Sequence, residues 1–263
     1  MIAATLQMQP TPGDIAQNLQ RIEAAAVAAA SFGASFLVAP EMSTTGCAIW
    51  NDNARLAQSR DEPIVKRLKG IAKTQNITVV AGFPERDGNE VFNTAAIAIP
   101  DGNVVFYRKC HLFGPEKLVF GAADQLSPLV SIGGMKVGFL ICYDIEFPEW
   151  VRALVLRGAE LIIAPSALPR SPSNNRVSKS LIPARALENH VFIAYSGLCG
   201  NSGEAAYQGG SVVVGPDGES LARAGDGEAL LLVALDPTRY TGTGLDPYLE
   251  DRRPELYRPH ILS

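Results

Sequence analysis

Histidine is scarce in this sequence, with only His111, His190 and His260, and cysteine is nearly so, with Cys47, Cys110, Cys142 and Cys199. These residues form no CxxC pair and no His/Cys cluster at metal-ligand spacing. That pattern excludes a zinc-ribbon or finger module, and neither a metal nor a cofactor is expected. Scattered cysteines fit a reduced chain rather than a disulfide framework. No basic run stands out, and 23 Lys and Arg against 27 Asp and Glu give a net charge of −4, so no nucleic-acid partner is expected. No apolar stretch reaches the ~18–20 residues of a membrane span. The Ala-rich run 24–30 is too short and follows Glu23. The start, Met1-Ile2-Ala3-Ala4-Thr5-Leu6-Gln7, lacks the basic segment, apolar core and cleavage site of a secretory signal, so a cytoplasmic location is expected. No linker rich in Pro, Gly or Ser and no repeat of solenoid period divides the chain.

What is present is an ordinary globular balance, 47% hydrophobic and 19% charged over 263 residues. A chain of that size buries about three quarters of its unfolded surface without a disulfide or metal. Apolar runs alternate with helical patterns. Strands are expected at 2–7, 36–39, 78–82, 136–142, 161–164, 192–197 and 230–235, and helices at 15–31, 63–75, 149–157 and 177–189. Asp14 reads as an N-cap, and Gly33 and Gly158 as stops. Hairpins are expected across Asp101-Gly102 and across Pro216-Asp217-Gly218. Hairpins mixed with β-α units imply an α/β fold with mixed sheets, read as one domain over 1–263. The tail 246–263 is polar and broken by proline, yet carries Tyr248, Leu249, Leu256, Tyr257, Ile261 and Leu262. It must pack on its own domain or across a partner subunit.

The chemistry concentrates at Cys142. An apolar strand, Val137-Gly138-Phe139-Leu140-Ile141, runs into the cysteine, and a polar turn and a helix follow at once. Such an elbow lifts a side chain to the rim of a sheet, and the free N–H groups of the turn become candidate oxyanion donors. The same helix start favours a thiolate. A free cysteine is more often a buried small hydrophobe, and both readings stand at this point. The usual base would be histidine, and His111 alone sits beside other polar residues that look functional, but nothing singles out a Cys–His pair. A different set stands out: the strand ending Ala39-Pro40-Glu41, the strand ending Tyr107-Arg108-Lys109, and the strand ending Ile141-Cys142. Carboxylate, ammonium and thiol thus arrive at strand C-termini, where α/β sheets place ligand sites.

These segments resemble the nitrilase, or carbon–nitrogen hydrolase, superfamily. The likeness rests on Ala39-Pro40-Glu41, on Tyr107-Arg108-Lys109-Cys110-His111-Leu112-Phe113-Gly114, and on Ile141-Cys142-Tyr143-Asp144-Ile145-Glu146-Phe147-Pro148-Glu149, in that order and spacing. Pro183-Ala184-Arg185-Ala186-Leu187-Glu188-Asn189 matches a further block. The resemblance implies a four-layer α-β-β-α sandwich with two mixed sheets. It implies Cys142 as nucleophile, Glu41 as general base and Lys109 as oxyanion stabiliser, joined by the N–H of Tyr143. It also implies a second glutamate, for which Glu116 is the candidate. Glu146, Ser166 and Ala167 are expected in the oxyanion and substrate pocket. The implied substrate is a small-molecule amide, and the implied assembly is a homodimer, or a higher even homo-oligomer, joined through the helices 149–157 and 177–189.

The His-Leu-Phe-Gly block and the tail 246–257 look like the amidase branch that includes R-stereoselective amidases, which favours a primary amide cleaved to acid and ammonia. An N-carbamoyl amide hydrolase or a nitrilase with the same triad is the alternative, and a non-catalytic interaction protein of the same fold a further one. Two departures from the pattern stand out. Glu116 falls seven positions after Lys109 rather than eight, in a loop one residue shorter, where pairing with Lys117 is the competing reading. Gly197 replaces an asparagine in Tyr195-Ser196-Gly197-Leu198-Cys199-Gly200 and removes an amide from the expected pocket.

Overall fold

In β1 (Ile2–Gln7) successive side chains face opposite ways. Ala3 joins an apolar layer shared with a second sheet, while Ala4 and Leu6 join a layer beneath helices. This computed structural model describes residues 1–47, 50–242 and 244–261, with the backbone alone for 50–51 and 258–261. The same alternation continues through β2 (Ala34–Val38), β3 (Thr78–Asp87) and β4 (Glu90–Ala98), followed by β5 (Val104–Arg108). Phe36, Val38, Val80 and Ile97 face the other sheet, and Leu37, Val79 and Ala81 face the helices.

Between these strands lie α1 (Ile15–Ser31), α2 (Trp50–Leu56) and α3 (Pro63–Gln75). Asp14 caps α1 by accepting from the Gln17 N–H at 2.9 Å, and the chain leaves the helix through Gly33 at φ +73°. Leu19, Ile22 and Ala26 of α1 and Leu68 of α3 pack on the outer face of the first sheet.

The second half repeats the plan. β6 (Val130–Ile132) and β7 (Met135–Phe139) lead into α4 (Pro148–Leu156), β8 (Leu161–Ser166), α5 (Ile182–Leu187) and β9 (Phe192–Gly197). A two-stranded hairpin, β10 (Cys199–Ser202) with β11 (Ala205–Gln208), precedes β12 (Val212–Val214), β13 (Ser220–Arg223) and β14 (Ala229–Ala234). One sheet has the order β14-β1-β2-β3-β4-β5 and the other β13-β12-β9-β8-β7-β6. Each holds three parallel strands flanked by antiparallel ones, so both sheets are mixed. With the helices outside, the architecture is the expected four-layer α-β-β-α sandwich. The equivalent hairpins β4–β5 and β12–β13 turn on Pro100-Asp101-Gly102 and Pro216-Asp217-Gly218, with positive φ only at the glycine of each. The first loop spans 99–103, longer than the two-residue turn expected.

Several bounds differ from expectation for local reasons. The strand expected over 136–142 pairs only to Phe139, because its partner register with β8 ends there. β8 in turn runs to Ser166, held by pairing with Gly197. The helix expected over 177–189 opens with one wide π turn, Val177–Leu181, ahead of Pro183. The tail carries a helix, α6 (Pro254–Ile261). Leu262 lies outside the described residues.

Candidate active site

Glu41 follows β2 by three residues and lies across β3. The chain there crosses so closely that a Cβ on Gly82 would sit 2.3 Å from the Met42 nitrogen and 2.8 Å from the Glu41 Cα. Only glycine at 82 permits this approach. The crossing is tied by Ala39 N–H to Val80 O at 2.8 Å and by the Thr44 hydroxyl to Gly82 O at 3.0 Å. Glu41 is 1% exposed.

Lys109 follows the last residue of β5, and its N–H donates to Asn93 O on the neighbouring strand at 2.8 Å. Arg108, on the opposite face as strand alternation requires, grips the buried Glu85 through two bonds of 2.7 and 3.0 Å. With that anchor on one side, the Lys109 side chain turns inward and is wholly buried. Its Nζ lies 2.7 Å from Glu41 Oε1 and 3.0 and 2.8 Å from the two oxygens of Glu116. The seven-residue spacing therefore delivers Glu116, because Gly114–Leu118 winds as a short 3₁₀ turn, with Phe113 N–H donating back to Glu116 Oε2 at 3.0 Å. Lys117 is not its partner among the described ion pairs.

Cys142 opens a 3₁₀ turn, Cys142–Glu146, three residues past β7. Its φ of +48° is left-handed, a strained conformation for a residue with a Cβ, of a kind that clusters at functional sites. Cys142 and Tyr143 occupy the first two positions of the turn, so their N–H groups find no acceptor within it. The turn is locked by Asp144, which is fully buried. Its carboxylate accepts from the Ile141 N–H (3.1 Å), the His111 N–H (2.8 Å) and the Tyr107 hydroxyl (2.8 Å), and lies 2.8 Å from the His111 ring Nδ1. The His111 ring stacks on Phe147 with centroids 4.0 Å apart, and Trp150 donates to the Tyr107 hydroxyl at 3.2 Å. His111 thus braces the turn and does not pair with the thiol. His190, at the α5–β9 junction, is remote from it, with its ring 5.7 Å from that of Tyr248.

The remaining expected residues fall around this cluster. Ser166 is fully buried, shares a 2.6 Å hydrogen bond with the Tyr195 hydroxyl, and lies near enough to the Cys142 thiol to favour its ionised form. Ala167 follows it, buried in the outer cluster of the first sheet. Tyr143 packs edge-on against Phe113 and Phe147. Glu146 is half-buried, close enough to feel both Lys109 and Arg185. At Gly197 a Cβ would meet Gly209 O at 2.7 Å, so the missing asparagine reflects a close backbone approach. Sequence reasoning misses Asn93 and Asp144: Asn93 stands out only as a lone amide in an apolar strand, and Asp144 is hidden inside the cysteine motif.

The electrostatics follow from burial. Desolvation pushes the Glu41 carboxyl up to about 7, against the pull of the Lys109 ammonium. Burial would depress Lys109, but Glu41, Glu116 and Cys142 hold it well above its ordinary range. Burial and then the Glu41 charge push the Cys142 thiol up, opposed by Lys109 and by Ser166. A carboxyl raised toward neutrality, a fixed cation and a protonated thiol therefore meet in one dry cluster, and Cys142 keeps 6% exposure. A cavity of about 560 Å³ lined by His190, Tyr240 and Leu249 lies elsewhere, and none of Glu41, Lys109, Glu116 and Cys142 lines it. No group of three or more His, Cys, Asp and Glu suited to a metal occurs among the described residues.

Residues 2–244 match the carbon-nitrogen hydrolase family model. The chain is 41% identical over 263 residues to a protein of Pseudomonas protegens named hydrolase in pqqF 5'region, covering 98% of this chain and 90% of that one. It is 32% identical over 252 residues to an (R)-stereoselective amidase of a Pseudomonas species, covering 94% and 90%. Among solved structures, an amidase from Nesterenkonia sp. AN1 superposes in several mutant forms, including the two that follow. One bears the Michael adduct of acrylamide at its active site cysteine (TM-score 0.89, 37% identity, 98% and 99% covered). The other is in complex with butyramide (TM-score 0.90, 37% identity, 99% and 97% covered).

Proposed function

We propose that this chain, which belongs to the carbon–nitrogen hydrolase family, converts a small primary amide into its carboxylic acid and ammonia through a Cys142 thioester. The observation that carries this reading is the buried Lys109 ammonium, bridging Glu41 and Glu116 beside the Cys142 thiol.

Glu41, as carboxylate, takes the thiol proton while the sulfur attacks the amide carbon. Charge then develops on the carbonyl oxygen, and Lys109 with the Tyr143 N–H stabilises it. Losing one such donor costs roughly 3–4 kcal/mol in known cases. Glu41 returns its proton to the leaving nitrogen, ammonia departs, and a thioester remains. A water, deprotonated by Glu41, attacks that thioester, and collapse releases the acid while the sulfur regains a proton. Glu116 keeps Lys109 charged and aimed through both steps. Ser166, Glu146 and Ala167 line the acyl pocket. The small-amide preference is supported by the narrow access to Cys142 and by the relative that binds butyramide.

The chain acts as one domain, with 246–263 as a tail. The copies pair through α4 and α5, a reading supported by the exposed Leu156 and Leu187 on those helices. The four unpaired cysteines support a reducing, cytoplasmic location. No helix among the described residues is long and apolar enough to cross a membrane. An ammonia-release screen over aliphatic, aromatic and amino-acid amides, nitriles and carbamoyl compounds tests the reading. Turnover of short amides that disappears in Cys142→Ala supports it, and turnover of nitriles or carbamoyl compounds alone overturns it. A dimer or larger even assembly by light scattering is expected, and a monomer contradicts the assembly.

A further inference from the structure

Glu41 is held unevenly. Its Oε1 takes the Lys109 ammonium at 2.7 Å and the Asn93 side-chain amide at 2.7 Å. Its Oε2 is buried and has no hydrogen-bond partner. A bare carboxylate oxygen in a dry site is costly, and such an atom in a native structure calls for an explanation. Asn93 is 1% exposed in the middle of β4, where its neighbours on the same face, Ala95 and Ile97, are core residues. Its amide must present NH₂ to the carboxylate, since the reverse flip would set two acceptors against each other. The same residue's carbonyl accepts the Lys109 N–H, so one position fixes both partners of the ion pair.

We propose that Asn93 is a positioning residue for proton transfer: by binding Glu41 Oε1 alongside Lys109, it leaves Oε2 as the oxygen that takes the Cys142 proton. The inference rests on Glu41 being the base. Two donors on one oxygen draw charge to it and pin the carboxylate plane. The free oxygen keeps its lone pairs for a proton. Without Asn93 the carboxylate can pivot on Lys109 and loses a donor that favours its ionised form. The charged and titratable groups facing Glu41 are Lys109 from the residue after β5, Glu116 from the 3₁₀ turn, Cys142 from the elbow, Cys47 from the loop after Glu41, Tyr195 from β9 and Tyr207 from β11. None of them replaces the lost amide donor.

The test is the pH dependence of kcat/KM for butyramide with the natural chain, Asn93→Ala, Asn93→Asp and Glu41→Gln. For Asn93→Ala the acid limb is expected to move up by about one pH unit. That corresponds to ~10-fold lower kcat/KM below the limb, with KM little changed. Asn93→Asp, which exchanges only NH₂ for O, preserves the packing and moves the limb the same way, even if the cavity left by alanine unfolds β4. A folded variant with an unmoved acid limb overturns the proposal. Glu41→Gln separates the two ideas. If it still turns over, the base assignment is wrong. If it is dead while the limb of the Asn93 variants stays in place, only the role of Asn93 falls.

Discussion

The ammonium of Lys109 lies 2.7 Å from Glu41 Oε1, and neither side chain is more than 1% exposed. Glu116 completes the set from the other side at 2.8 Å. Two carboxylates around one cation leave net negative charge in a dry site, which suits a base waiting for a proton. Removing the cation leaves both carboxylates uncompensated. Lys109→Ala is therefore expected to abolish ammonia release and to lower stability by about 3–5 kcal/mol at pH 8. The folded-state pKa of Glu41 rises further once the Lys109 charge is gone, so the stability of that variant recovers as pH falls toward 5. Denaturant unfolding at the two pH values checks this, and an equal loss at both contradicts it.

Glu41 must be ionised to take a proton, and its carboxyl is pushed up to about 7. Activity is expected to rise through that pH and to fall off below it. The stability contribution has the opposite sense. A group whose folded pKa is raised contributes stability that is full below its unfolded value near 4.5 and lost as pH rises through about 7. Glu41→Gln should flatten that part of the stability–pH curve while abolishing turnover. A curve unchanged by the substitution would mean that Glu41 is ionised normally.

Asp144 gathers the Ile141 N–H, the His111 N–H and the Tyr107 hydroxyl around the turn that opens at Cys142. Asp144→Ala strands three donors, at a total cost of about 3 kcal/mol or more. Without that clamp the +48° φ of Cys142 loses its support. We expect a lower melting temperature together with a fall in kcat. His111→Ala, which removes only the ring, should do the same more weakly. Activity unaffected in a folded Asp144→Ala would show that the clamp is irrelevant to the chemistry.

Placing at 197 the asparagine expected from the family pattern should not restore anything here. A Cβ there meets the Gly209 carbonyl at 2.7 Å, so Gly197→Ala and Gly197→Asn are both expected to destabilise by about 1–3 kcal/mol. Thermal unfolding reads this directly. Neutral or stabilising substitutions would mean that β9 and Gly209 do not approach as closely as they do here.

Much of the fold is legible in the amino-acid sequence. The two-residue and helical periods locate β1, α1, α3 and β9, because those segments are amphipathic or uniformly apolar, and α1 carries a clear cap at Asp14. The three strand-end residues are legible because the family resemblance ties them together; composition alone does not. What escapes depends on distant partners. Nothing local says that Gly82 must let the Glu41 loop cross, or that Asn93 reaches a carboxylate 52 positions earlier. Counting positions along a loop puts Glu116 one residue out of place, whereas a tight 3₁₀ turn shortens the reach a lysine needs. The strand expected up to Cys142 falls short for a related reason: hydrophobicity continues to Ile141 while pairing stops at Phe139.

The most direct test is intact-mass spectrometry of the enzyme quenched during turnover of butyramide. The account predicts a population heavier by one butyryl group in place of a hydrogen, mapped to Cys142 and absent from Cys142→Ala. Ammonia release by Cys142→Ala at the rate of the natural chain, with no acyl adduct at any residue, would contradict it.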